Sequence, residues 1–125
     1  MAASKTRSDV DKNMKIYHNP RCSKSRATLE LLRNKDQDPE VIEYLKTPPT
    51  PEELRDIIKK LGVSAEAIVR KGEDVYKTKF EGKSLTDDEW VAAIVANPIL
   101  MERPIVVSGK QAAIGRPPKN VLHLL

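Results

Sequence analysis

Cysteine is nearly absent from this chain. Its 125 residues contain one, Cys22, so no disulfide can form within the chain. A lone thiol without a secretory signal fits a reducing compartment. Aromatic residues make up only 4%, and there is no tract of lysine or arginine. Basic residues are spread along the chain and mixed with acids, which leaves little on which nucleic-acid bases could stack; nucleic acid is not expected as a partner. No apolar run approaches the length of a membrane span, and the N-terminus lacks the apolar stretch of a signal peptide. The expectation is a soluble, cytoplasmic protein with no membrane partner. Two histidines and one cysteine are too few for a structural zinc site, so no metal is expected. The glycines, Gly62, Gly72, Gly82, Gly109 and Gly115, are scattered and form no phosphate-binding loop.

The chain that remains is mildly basic, with a net charge of +4, and long enough to bury a core without disulfides or metals. Residues 1–14 are polar and aperiodic and read as a disordered N-terminal extension. Residues 15–125 read as one domain. "KIYH" signals a strand, "NPR" breaks it, and a helix is expected from Ser23 to about Lys35, with Ala27 and Leu31, and Leu29 and Leu32, at helical spacing. Glu40–Leu45 is a second strand candidate. A strand–helix–strand unit favours parallel pairing.

Thr50, Pro51 and Glu53 form a capping box at the start of a helix that Gly62 ends. A short helix is expected from Ser64 to Gly72, and a loop over "EDVYKTKFEGKSL". Thr86 and Glu89 cap a further helix, whose Trp90 reads as core. Ile105–Val107 and Gln111–Ile114 read as a hairpin, and Val121, Leu122 and Leu125 as the inward side of a terminal helix that leaves His123 in solvent. The order is β-α-β, then helices, then β-β-α. It describes an α/β, thioredoxin-like fold with a helical insertion between its two halves.

The single thiol falls where the first strand gives way to the first helix. Arg21, Lys24 and Arg26 flank it, and no acid does. A thiolate is a nucleophile and a thiol is a poor one. Helix N-terminal N–H groups and nearby cations lower a thiol pKa and form a cradle for an oxyanion. His18, four residues upstream, is either a partner for the sulfur or a residue that ties the loop. Ser25 stands where a C-x-x-C redox motif has its second thiol, so Cys22 has no local resolving partner. The plain alternative for Cys22 is a small buried apolar residue. For Arg70, Arg103 and Arg116, taken singly, it is a solvated surface arginine.

"IYHNPRCSKSR", "EYLKTPPTPEEL", "IVRKG", "PILMERPIVV" and "IGRPP" resemble the glutaredoxin-linked arsenate reductases and their relatives. The resemblance runs from Lys15 to Leu125 and keeps five motifs in order. It implies that Cys22 is the nucleophile and that Arg70, Arg103 and Arg116 hold the arsenic oxyanion. It implies that His18, Asn19, Ser25 and Arg26 build the loop around the nucleophile, and that Pro104 matches a proline that thioredoxin-like folds often hold in cis. The implied activity is reduction of arsenate to arsenite. Glutathione would be the co-substrate, glutaredoxin the partner, and no cofactor would be bound. "HNPRCSKSR" is more basic than the "CGTS" form of the motif. A glutathione-dependent thiol–disulfide oxidoreductase with another substrate is therefore the alternative. A further alternative is a regulator that binds RNA polymerase, although such regulators carry the second thiol that Ser25 replaces.

Overall fold

The computed structural model describes residues 14–125. Residues 1–13 of the expected extension lie outside the described residues. Met14, counted with that extension, instead opens the first strand and is buried. Two compact units result: one takes in the described residues up to Glu43 together with Arg103–Leu125, the other is Tyr44–Glu102.

The first unit contains β1 (Met14–His18), helix α1 (Ser23–Asn34), β2 (Glu40–Glu43), β3 (Ile105–Ser108), β4 (Gln111–Ile114) and a terminal 3₁₀ helix (Pro118–Leu124). The sheet order is β2-β1-β3-β4. β1 runs parallel to β2, as the intervening helix requires, and antiparallel to β3, which forms a hairpin with β4. The thioredoxin-like α/β arrangement expected from the element order is the one observed.

Register explains the core. Ile16 stands opposite Val106, and Val106 opposite Ala113, so the three share one face of the sheet. With Met14, Leu29, Leu32, Val121 and Leu124 they form a buried cluster between the sheet, α1 and the terminal 3₁₀ helix. Two expectations are corrected here. Ala27 faces solvent, and the inward side of α1 is Ser25, Thr28, Leu29 and Leu32. Leu122 and Leu125 are exposed while Leu124 is buried, because the last segment coils as a 3₁₀ helix with three residues per turn.

The second unit is helical: α2 (Pro51–Leu61), a 3₁₀ turn (Ala65–Ile68), α3 (Asp74–Lys79), α4 (Asp87–Ala96) and a 3₁₀ turn (Pro98–Leu100). Both capping boxes close. Thr50 Oγ1 accepts from the Glu53 N–H at 3.1 Å, and Thr86 Oγ1 from that of Glu89 at 3.1 Å. Gly62 ends α2 in the left-handed conformation, φ 71°, which glycine adopts at little cost. The helix expected over Ser64–Gly72 shrinks to the 3₁₀ turn, because Val69 leaves it to form a bridge with Met101. The stretch read as loop holds α3. Its Tyr76 stacks on Trp90, with ring centroids 6.2 Å apart, and packing supplies what six residues of helix propensity do not. Trp90 is buried, as its spacing predicts. No helix among the described residues is long and apolar enough to cross a membrane.

Candidate active site

β1 ends at His18 and the chain turns at once. Asn19 makes the turn: its carbonyl accepts from the Cys22 N–H at 3.0 Å, and its Oδ1 accepts from the Arg21 N–H at 3.0 Å. Arg26 donates to the Pro20 carbonyl at 2.9 Å from the first turn of α1. These local bonds place Cys22 at the N-cap of α1.

Beneath the loop lies a buried polar knot. Ser25 Oγ sits 2.6 Å from His18 Nδ1 and accepts from the Asn19 N–H at 3.0 Å. His18, Asn19 and Ser25 are all less than a tenth exposed. Through Ser25, His18 ties the loop to α1. Burial lowers its pKa, Glu43 at the end of β2 raises it, and Arg33 and Arg26 lower it, with a net fall below the ordinary histidine value. His18 is neutral at neutral pH.

Cys22 is half-buried and free. Burial alone would push the thiol up. The N–H groups of Ser25 and Lys24 at the start of α1 and the Arg103 guanidinium favour the thiolate and outweigh burial, so the thiol pKa lies below its usual value. The Cys22 side chain makes no capping hydrogen bond; the N–H groups at the start of α1 favour a charged sulfur through their partial positive charge.

Two of the three arginines singled out in the sequence come to the thiol. Arg116 Nη1 lies 3.8 Å from Cys22 Sγ and donates to the Arg103 carbonyl at 3.3 Å. The Arg103 guanidinium is also near enough to lower the pKa of the thiol. The thiol and Arg116 are 94 residues apart in the chain, and the hairpin joins them: Arg103 enters β3 and Arg116 leaves β4. The Arg103–Pro104 bond is cis, the isomer that thioredoxin-like folds often have at the matching proline, and so is Arg116–Pro117, which no sequence signal marked.

Arg70 belongs to the helical unit. Its Nε donates to Glu73 at 3.1 Å and its Nη1 to Glu102 at 2.7 Å, with each side chain about a quarter exposed. Among the described residues, no group of three or more His, Cys, Asp or Glu could hold a metal ion.

A thiol with a lowered pKa and arginine side chains beside it can hold an anion next to its sulfur. Residues 17–124 match the ArsC family. The chain belongs to the ArsC family. This ArsC-family chain is 51% identical over 118 residues to the Escherichia coli K12 protein named "Uncharacterized protein YfgD", covering 93% of this chain and 99% of that one. It is 47% identical over 114 residues to an arsenate reductase of Neisseria meningitidis serogroup A, covering 90% and 97%. The structure of an arsenate reductase from Vibrio cholerae superposes with a TM-score of 0.86 at 49% identity, covering 90% of this chain and 97% of that one.

Glu43, Arg33 and Thr28 were not singled out in the sequence, and nothing in their spacing marks them. Their roles depend on which strand pairs with β1 and which loop meets α1. The glycine of "IGRPP", Gly115, is the sequence feature that its close contact with Thr28 requires.

Proposed function

We propose that this chain reduces arsenate to arsenite, with Cys22 as the nucleophile. The observation that carries the reading is Cys22 at the N-cap of α1 with Arg116 Nη1 3.8 Å from its sulfur; the N–H groups of α1 and Arg103 favour the thiolate there. The named relatives supply the substrate.

In this scheme the thiolate attacks As(V) and an arsenate oxygen leaves as water, forming an S–As bond. Arg103 and Arg116 offset the charge that gathers on the arsenic oxygens. Glutathione then attacks the Cys22 sulfur. The S–As bond breaks and its electron pair stays on arsenic, which leaves as arsenite. The resulting Cys22–glutathione disulfide is reduced by glutaredoxin. An external thiol is required because the chain has no second cysteine. Arg70 enters this scheme through the family resemblance; its own bonds are to Glu73 and Glu102.

The test is arsenite formation from arsenate with glutathione and glutaredoxin, comparing the wild type with Cys22→Ser. Cys22-dependent turnover is expected, and equal turnover in the variant refutes the scheme. A second reading, a glutathione-dependent oxidoreductase for another substrate, draws on the exposed Arg21 and Lys24 beside the thiol. Reduction of a glutathione mixed disulfide without arsenate turnover selects it.

A further inference from the structure

Thr28 and Gly115 take no part in the chemistry just described, yet they connect its parts. Thr28 stands six residues beyond Cys22 on α1 and is completely buried. Its Oγ1 lies 2.8 Å from the Lys24 carbonyl and 3.3 Å from the Gly115 carbonyl. A helical threonine commonly returns its hydroxyl to the carbonyl four residues back. The contact with Gly115, 87 positions away, has no such local cause.

Gly115 is there for clearance. A Cβ at that position would stand 2.5 Å from Thr28 Oγ1, 2.9 Å from the Thr28 methyl and 2.8 Å from Pro104 Cγ, all closer than real Cβ atoms approach. Its φ is not positive, so conformation does not call for glycine. The Gly115 N–H donates to the Pro104 carbonyl at 2.9 Å. Gly115 immediately precedes Arg116, and Pro104 immediately follows Arg103. The bare backbone is thus wedged between the helix that carries the thiol and the turn that carries Arg103.

We propose that Thr28 and Gly115 are a positioning pair, whose close contact sets how near Arg116 and Arg103 stand to the Cys22 sulfur. The proposal rests on the reading of Cys22 as the nucleophile and adds what holds its arginines in place. α1 carries Cys22 and Thr28 on one rod, so any change in the gap between Thr28 and Gly115 moves the arginines relative to the sulfur. Charge interactions weaken with distance, and at 3.8 Å the Arg116 contact has little reach to spare. Neither residue touches substrate; both act through the arginines.

The experiment measures the rate of Cys22 alkylation by iodoacetamide against pH, with KM and kcat for arsenate, in Thr28→Val, Thr28→Ser and Gly115→Ala. Valine keeps the threonine shape and removes the hydroxyl. It is expected to raise the apparent thiol pKa and to slow alkylation below that pKa by roughly three- to tenfold, the effect of about half to one unit. KM should rise more than kcat falls. Serine, which restores the hydroxyl, is expected to recover most of the rate. Gly115→Ala should shift the profile in the same direction and further. If that variant does not fold, the Thr28 pair still decides the matter. A Thr28→Val protein that is folded and keeps the wild-type alkylation profile overturns the proposal, as does one that loses stability with the thiol titration unmoved. Alkylation is independent of arsenic chemistry. A shifted profile in a protein whose wild type does not turn over arsenate therefore supports the positioning pair and refutes only the reductase reading.

Discussion

Replacing Ser25 by alanine removes one buried hydroxyl and strands two polar groups. Ser25 Oγ is bonded to His18 Nδ1 at 2.6 Å and to the Asn19 N–H at 3.0 Å. Ser25 is 0% exposed, His18 6% and Asn19 7%, so water has little access to replace the lost partner. Each buried group left without a partner costs about 1–3 kcal/mol, and two together, with some relaxation of the loop, put Ser25→Ala at about 2–4 kcal/mol less stable. The missing oxygen leaves too small a space for a water molecule to enter without further movement. The assay is urea unfolding followed by far-UV circular dichroism at neutral pH, where His18 is neutral in the wild type. The midpoint should fall while the slope m stays the same, because the surface exposed on unfolding is unchanged. A loss below about 0.5 kcal/mol would refute the reasoning, since it would show that the two bonds are no better than those made with water in the unfolded chain.

Other outcomes follow from the same geometry. The His18 pKa is lowered in the folded chain, chiefly by burial against the pull of Glu43. The unfolded chain therefore takes up a proton that the folded chain resists. Stability should be fully present above the ordinary histidine pKa and fall as pH drops below it; a urea midpoint whose change with falling pH is the same in His18→Asn would refute this. Thr50→Ala removes the hydroxyl that accepts from the Glu53 N–H at 3.1 Å and should cost about 1 kcal/mol in the same unfolding measurement.

What could be read from the residues alone was local. Thr50 with Glu53, and Thr86 with Glu89, satisfy N–H groups three residues away, so their helices begin where the residue types say they must. Cys22 falls at a helix N-terminus because Asn19 and Pro20 end a strand just before it. The hairpin of β3 and β4 is announced by two apolar runs around Gly109. Tertiary structure decided the rest, and it did so through groups that meet across many residues. Ser25 and Thr28 face inward where apolar spacing pointed to Ala27, because His18, Asn19 and Gly115 satisfy their hydroxyls. α3 forms because Trp90 gives Tyr76 a surface to stack on. The sequence by itself shows a lone thiol in a basic loop and three separate arginines. Only the paired strands bring Arg103 and Arg116 to that thiol, since a contact spanning 94 residues depends on sheet register, and no local spacing encodes it.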